Sequence, residues 1–216
     1  MMAKVKIDKK PAIPRTTAQS KKKAITKGVL DRLTSDEIAT VLRTLLKRHT
    51  DLRREAEAVA LELVSSPLVE DIAEDVFDRV TGLGADAIQG KAGKQSWGYV
   101  EPDQAALELL EEAVDDVVAD MKRRMELGLD AAAEAICCGI VLAMHRAEGV
   151  KSDDLLAWVP DFPAEEACHV VAELIRACPA AKRGAVSKRL DEAFGDLGPE
   201  WAEMLSHAAK RVAQGK

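Results

Sequence analysis

The longest helical signal in the chain is PDQAALELLEEAVDDVVADMKRRMELGLDAAAEAICCGIVLAMHRAE, residues 102–148. Its first half places apolar side chains every three to four positions from Leu107 to Met125, which is the spacing of one helical face. The end of this half contains Lys122, Arg123 and Arg124. Cations at that position stabilise a helix, because its C-terminal end carries a partial negative charge. The pattern predicts an amphipathic helix over residues 102–127.

The second half of this stretch predicts a buried helix. Residues 131–144 are apolar except for Glu134, and a helix that is apolar all round belongs at the centre of a fold. Asp130 is the expected N-cap. Small residues at every fourth position predict a groove where another helix approaches closely. They are Ala131, Ala135, Gly139, Ala143 and Ala147.

Shorter helical patterns flank this pair, and no strand pattern competes with them. Caps at Thr34 or Ser35, at Thr50 and at Ser66-Pro67 predict the starts of three helices, the third of which ends at Gly82 and Gly84. Residues 90–102 hold three glycines and a proline and are the expected main loop. The first of these helices is expected at about 35–48, and further helices are expected at about 152–158, 163–177, 182–194 and 199–213.

Short connections predict that successive helices are antiparallel neighbours. The first two are expected to form a hairpin with apolar inner faces. These faces are Ile38, Val41, Leu42, Leu45 and Leu46 on the first helix, and Leu52, Ala56, Val59, Ala60 and Leu63 on the second. The predicted fold class is all-α, a series of antiparallel helical hairpins arranged as an irregular α-solenoid or a helical bundle.

Composition excludes several other classes. Of 216 residues, 47% are apolar and only 3% aromatic, which argues against a β-sandwich or barrel. No apolar run approaches the roughly 20 residues of a membrane span, and the N-terminus lacks the apolar stretch of a signal peptide. We expect a cytoplasmic protein with reduced cysteines, no cofactor and no membrane partner.

Charge divides the chain into two parts. Residues 1–28 hold nine Lys/Arg and one acid, a net charge of +8, which leaves −14 for the remainder. Few apolar residues and two prolines predict a disordered basic tail over residues 1–33. We expect helical hairpins over 34–90, a Lys/Gly/aromatic loop over 91–101, and a helical-repeat region over 102–216 that is continuous with 34–90.

The segment 107–147, which includes MELGLDAAAEAICCGIVLAM at 125–144, resembles the helix-turn-helix unit of tetratricopeptide-type repeats. The order of Gly98-Tyr99-Val100-Glu101, a long acidic helix and that pair is similar to helical regions that accompany SWIM-type zinc fingers in bacterial proteins. The cysteines of a zinc finger are absent, so this resemblance implies no metal and no DNA function. Repeat-like helix pairs imply a binding surface by analogy.

The long helix carries a face of one charge sign. Six carboxylates and no base lie within residues 108–120, and like charges four positions apart cost a helix about 0.2–0.5 kcal/mol per pair. This face is a candidate docking site for a basic partner or for the chain's own tail, and the alternative is a solvated outer face. The carboxylates aligned at steps of four are Glu108, Glu112, Asp116 and Asp120.

Two loops contain four of the seven aromatic residues, namely Trp97 and Tyr99 in one and Trp158 and Phe162 in the other. They are candidate partner-binding residues if the loops are neighbours in space, and otherwise they fill gaps between helix pairs. Lysines lie beside Trp97 and Tyr99 in the first loop, and aromatic rings next to lysines can stack on bases and bind phosphates. The candidate nucleic-acid contacts are Lys9, Lys10, Lys21, Lys22, Lys23, Lys91 and Lys94.

No local motif predicts catalysis or metal binding. The spacing of the cysteines and histidines excludes a local zinc clip, so a metal site would need to assemble from Cys137 or Cys138, His145 and Cys168-His169. The alternative is small buried thiols. Neither a nucleophile–base pair nor a phosphate-binding loop is recognisable, and no catalytic residue is assigned.

The predicted function is a non-enzymatic helical-repeat scaffold or adaptor that binds another macromolecule, with another protein as the expected partner. One alternative is a nucleic-acid-associated protein that acts through its basic tail, because each phosphate neutralised adds about one unit to the salt dependence of binding. The other is a metal-dependent enzyme with a site across helices.

Overall fold

The structure is a computed structural model that describes residues 28–96, 98–150 and 155–214. The tail lysines Lys9, Lys10 and Lys21 to Lys23, the side chain of Trp97 and the start of the expected helix at 152–158 lie outside the described residues. The described part is all-α, as predicted, because its helices pack against one another around a mostly helical core. Among these helices none is long and apolar enough to cross a bilayer.

The predicted helices are confirmed to within about two residues at most ends. They are α1 (Ser35–Arg48), α2 (Arg53–Ser65), α3 (Val69–Thr81), α4 (Pro102–Glu126), α5 (Asp130–Glu148), α6 (Phe162–Ala177), α7 (Ala180–Ala193) and α8 (Pro199–Ala213). Short 3-10 turns occupy Leu30–Arg32, Thr50–Leu52, Ala85–Gly90, Leu155–Ala157 and Gly195–Leu197. Residues 155–157 therefore form a single turn where the sequence predicts a helix.

Some helix starts follow the predicted chemistry and others do not. Thr34 forms a capping box with Glu37, whose carboxylate accepts a hydrogen bond of 2.9 Å from the Thr34 backbone N–H. The prediction that Ser66 caps the third helix is wrong, because Leu68 precedes its first residue and no side chain caps it. The prediction for Asp130 is also wrong, since that carboxylate accepts a 2.5 Å hydrogen bond from Lys182 of α7 instead.

A small hairpin replaces part of the expected loop. Strands β1 (Gly93–Gln95) and β2 (Gly98–Val100) pair antiparallel, with Lys94 directly opposite Tyr99. Gly93 has a φ of 97°, a conformation that side chains other than glycine rarely adopt. The expectation of no strand fails here because three residues are too few to show an alternating pattern.

Helix α5 lies at the centre of the fold, as its uniformly apolar sequence predicts. It packs against α3, α4, α6 and α7. Its single central acid, Glu134, accepts two hydrogen bonds from Arg189 of α7, at 2.8 and 2.5 Å. At its C-terminal end, Glu148 accepts a 2.7 Å hydrogen bond from the indole N–H of Trp201 in α8. Polar groups therefore fix the position of α7 and α8 on an otherwise apolar helix.

The predicted close approach at the small residues of α5 is confirmed at Gly139. A Cβ at this position would lie 2.6 Å from the Cβ of Ile72 and 2.9 Å from the carbonyl oxygen of Val69, both in α3. Real Cβ atoms do not come that close to their neighbours. The absence of a side chain at Gly139 therefore lets α3 pack directly against the backbone of α5.

The chain divides into two compact units, Met1–Arg53 and Arg54–Lys216. The described part of the first unit contains α1, and none of its residues is buried. In the second unit α3 to α8 form the apolar core, whereas α2 contributes no buried residue. The predicted burial of the inner faces of the first two helices is therefore wrong. Apolar spacing identifies the apolar face of a helix but does not predict whether another element packs against that face.

Candidate functional site

The acidic row of α4 is partnered within the chain. The four carboxylates at steps of four each accept a hydrogen bond from a side chain of the protein. Their partners come from α3, from the turn before β1 and from α4 itself. The pairs are Glu108 with Gln104 at 3.3 Å, Glu112 with Lys91 at 2.5 Å, Asp116 with Arg79 at 2.6 Å, and Asp120 with Arg123 at 3.0 Å. These contacts make the row part of the packing between elements.

Asp120 and Arg124 form the most enclosed of these contacts. Burial raises the pKa of Asp120, but hydrogen bonds from Arg123 and Arg124 lower it by more, so the pKa of this carboxyl lies below its usual range. The side chain of Arg124 is only 11% exposed. It also donates a hydrogen bond to the carbonyl oxygen of Val64 at the end of α2. This arginine thus connects α2 to α4.

The remaining carboxylates of α4 line a cleft against α6. The cleft has a volume of about 360 Å³, and Glu111, Asp115 and Glu166 line it together with Lys122 and His169. Burial, followed by the charges of Glu111, Asp115 and Glu173, raises the pKa of Glu166 to about 7. No sequence pattern predicts this group, because Glu166 joins the α4 acids only through the packing of α6 on α4.

The four aromatic candidates have different environments. Phe162 is buried in the core at the start of α6, so it fills space between helices. Tyr99 is 65% exposed and Trp158 is 49% exposed, while the side chain of Trp97 lies outside the described residues. The structure therefore leaves Tyr99 and Trp158 available to a partner and removes Phe162 from the candidate surface.

Lys94 and Tyr99 lie side by side on the hairpin. They are register partners on β1 and β2, and both are exposed. Side chains opposite each other in an antiparallel pair lie on the same face, about 5 Å apart. Lys91 is different, because it forms the ion pair with Glu112 and is only partly exposed. Of the two lysines predicted in this loop, Lys94 is the one whose ammonium group faces solvent.

The cysteines and histidines do not assemble the metal site that sequence analysis allowed. Within residues 28–96, 98–150 and 155–214, no three His, Cys, Asp or Glu side chains lie close enough together to hold a metal ion. Burial raises the pKa of Cys137 well above its usual value and that of Cys138 to about 11. These thiols stay protonated at neutral pH, and a protonated thiol is a weak nucleophile.

A larger cleft lies between α6 and α8, with a volume of about 940 Å³. Cys168, His169 and His207 line it, together with acidic and basic side chains from both helices. Burial raises the pKa of Cys168. Charges of both signs and an un-ionised thiol give this cleft no clear ligand chemistry.

The most distinctive surfaces are the uncovered apolar faces of α1 and α2. On α1, Ile38, Leu42 and Leu45 are 43 to 50% exposed. On α2, Val59 is 51% exposed and Leu63 is 78% exposed. These stripes are visible in the apolar spacing of the sequence, but that spacing predicts burial in the interior and not a binding surface.

Searches of protein-family models, curated proteins and solved structures found no match to this chain.

Proposed function

We propose that this protein is a non-enzymatic helical adaptor that binds another protein through α2. The proposal rests on one observation, the exposed apolar stripe of α2 beside acids that have no ion-pair partner among the described residues. A soluble helix normally turns such a stripe toward a core. Here the core of the second unit is formed by α3 to α8 without it.

The stripe has the length and spacing of a helix-binding surface. Ala56, Val59, Ala60 and Leu63 stand at positions i, i+3, i+4 and i+7, which share one face and span about 10 Å. Peptide helices dock on such surfaces through apolar anchors at the same spacing. The hydrogen bond from Arg124 to the Val64 carbonyl oxygen holds the end of α2 against α4, so the stripe is carried by a fixed support.

Charge defines the partner further. Glu55 and Glu62 are exposed and seven positions apart, so they lie along the same edge of the stripe. In the described part of the chain neither forms an ion pair, in contrast to the partnered acids of α4. We therefore expect the partner to be an amphipathic helix whose apolar stripe is bordered by Lys or Arg.

Site-specific photocrosslinking in the cells that make the protein tests this function. A benzophenone amino acid at Ala60 lies on the stripe, and the same group at Lys188 is the control, because Lys188 is a highly exposed residue of α7. We expect a protein adduct from position 60 and none from position 188. Leu63→Asp or Glu62→Lys in the same chain should suppress that adduct.

Two results contradict the proposal. Equal labelling from positions 60 and 188 would show that α2 contacts nothing specific. An adduct that contains only a second copy of the chain would make α2 a self-association surface and remove the adaptor function.

A second candidate function is nucleic-acid association, and the pairing of exposed Lys94 with exposed Tyr99 on the hairpin favours it. An aromatic ring next to an ammonium group offers stacking and a phosphate contact in one place. The net charge of −14 outside residues 1–28 opposes it, since that charge repels phosphate.

Fluorescence anisotropy of labelled single-stranded DNA and RNA, titrated with the full chain at two salt concentrations, tests this candidate. If the hairpin takes part, Tyr99→Ala should weaken binding several-fold and Trp158→Ala should not. If only the tail binds, replacing Lys21, Lys22 and Lys23 by Gln should remove affinity and Tyr99→Ala should leave it unchanged. Absence of binding at low salt rejects the candidate.

A further inference from the structure

We propose that α1 binds α1 of a second copy of this chain, in an antiparallel arrangement with Leu42 at the twofold axis. The inference goes beyond the proposed function, since it concerns α1 in the first unit and not α2. It would make the adaptor a dimer with two copies of the α2 surface.

Helix α1 needs a partner that covers its apolar face. Its stripe of Ile38, Val41, Leu42, Leu45 and Leu46 occupies one face, and no described residue of the first unit is buried. A helix of 14 residues is marginally stable in water without packing of its apolar face. A second helix of matching length would supply that packing.

The apolar and charged residues of α1 are arranged so that two copies of this helix match each other. The stripe from Ile38 to Leu46 is centred on Leu42. Glu37 and Arg48 are placed almost symmetrically about the same residue, one before the stripe and one after it. Eleven residues make almost three whole turns, so these two charges lie along the same edge of the stripe. An interface with twofold symmetry requires this kind of self-matching surface.

The positions of Glu37 and Arg48 determine how the two copies of α1 are oriented. Twofold antiparallel pairing brings the same edge of both helices together, so Glu37 of each copy lies beside Arg48 of the other and two ion pairs form. Parallel pairing places this edge against the opposite edge of the second copy, which carries Ala39 and Leu46 and no charge near the stripe. The charges therefore favour the antiparallel form over the parallel one.

Both charged groups are available for this contact. Glu37 uses Oε2 in the capping box with Thr34, and among the described residues its Oε1 accepts no hydrogen bond. Arg48 is exposed and forms no ion pair with any residue that the structure describes. Pairing would leave the cap of α1 intact.

The size of the surface sets the expected affinity. Five apolar side chains on one short helix bury less than the roughly 800 Å² per partner of a standard protein interface. We therefore expect a dimer that dissociates in the micromolar range.

Sedimentation velocity of the full chain across the micromolar range tests the proposal. The wild-type chain should show a concentration-dependent dimer. Leu42→Asp should weaken it at least tenfold, because it places two carboxylates on the axis. Leu127→Asp is the matched control, since it makes the same change at a leucine that is 57% exposed directly after α4, outside both proposed surfaces, and should leave self-association unchanged.

A charge-exchange experiment tests the orientation. Arg48→Glu alone sets acid against acid, and Glu37→Lys alone sets base against base, so each variant should associate several-fold more weakly than wild type. An equimolar mixture should associate more tightly than either variant alone, because both cross-pairs become attractive. A mixture no tighter than its components overturns the antiparallel arrangement.

Other outcomes overturn the proposal as a whole. A chain that stays monomeric throughout the concentration range rejects it, as does a dimer that Leu42→Asp leaves intact. Binding of a monomeric chain to phosphatidylglycerol vesicles, abolished by Leu42→Asp, would assign the stripe to an anionic lipid surface instead. None of these results bears on the α2 photocrosslink, so the two proposals can fail separately.

Discussion

Gly139 lies in the middle of α5, with the side chain of Ile72 and the carbonyl oxygen of Val69 next to the place that a Cβ would occupy. Glycine normally weakens a helix interior by about 1 kcal/mol relative to alanine. At this position the loss is offset by close packing of two helices, since a Cβ would meet Ile72 at 2.6 Å. Close packing therefore explains why a glycine stands here although helix propensity argues against it.

We predict that Gly139→Ala destabilises the protein by about 1–2 kcal/mol, because overpacking costs more than the propensity gain. Gly184→Ala is the matched control, since Gly184 lies within α7 and no atom is within 4 Å of an added Cβ. That change should stabilise the protein by about 0.5–1 kcal/mol. Urea unfolding of both variants measures the change in the free energy of unfolding. A Gly139→Ala variant that is more stable than wild type would contradict the close approach.

Glu166 makes the stability of the protein depend on pH. Its folded-state pKa of about 7 lies above the ordinary value of 4.5, so the folded protein holds this proton more tightly than the unfolded chain. Stability is therefore lost as pH rises from about 4.5 through about 7, and the full cost is present above that range.

We predict that Glu166→Gln stabilises the protein at pH 8 by up to about 3 kcal/mol, as the size of the shift implies, and has little effect at pH 4. Glu165→Gln is the control, because Glu165 is exposed on the same helix and this variant makes the same change of side chain next to Glu166. Thermal unfolding at both pH values gives the comparison. Equal effects of Glu166→Gln at the two pH values would show that Glu166 is solvated.

At the scale of elements, the acidic face of α4 takes part in packing between helices. The carboxylates at steps of four repel one another within the helix, but cations from α3 and from the segment before β1 lie beside them. A charged group also holds α2 in place. The guanidinium of Arg124 binds the end of this helix, which contributes no buried residue of its own.

We predict that Arg124→Met speeds amide hydrogen exchange in α2 by about tenfold, because loss of a charged hydrogen bond of about 1.5 kcal/mol favours local opening. Met keeps the apolar stem but cannot donate. Arg123→Met is the control, since Arg123 also binds Asp120 but makes no hydrogen bond to α2. Exchange measured by mass spectrometry should show no change in α2 for that variant.

At the scale of the whole molecule, stability is distributed unevenly. Helices α3 to α8 bury the apolar core, whereas α1 and α2 contribute no buried residue to it. Segments with few buried contacts open with the smallest free energies. The binding surfaces that we propose therefore lie in the least stable part of the described chain.

We predict that limited trypsin digestion cuts after Lys47, Arg48, Arg53 or Arg54 well before it cuts after Arg176 or Arg183 in the C-terminal helices. Intact mass spectrometry of early fragments identifies the order. At concentrations where the dimer forms, cleavage at Lys47 and Arg48 should slow more than cleavage at Arg53. Early cleavage within α6 or α7 would contradict this distribution of stability.

The sequence by itself determined the all-α class, most helix bounds and the central position of α5, because these depend on local spacing, capping and uniform apolarity. It also predicted a close approach along the small residues from Ala131 to Ala147, and the structure shows that approach at Gly139. The tertiary structure alone decided which faces are covered. The partners of the α4 carboxylates, the raised pKa of Glu166 and the exposure of α1 and α2 depend on elements distant in sequence, and periodicity in one helix carries no information about its neighbours.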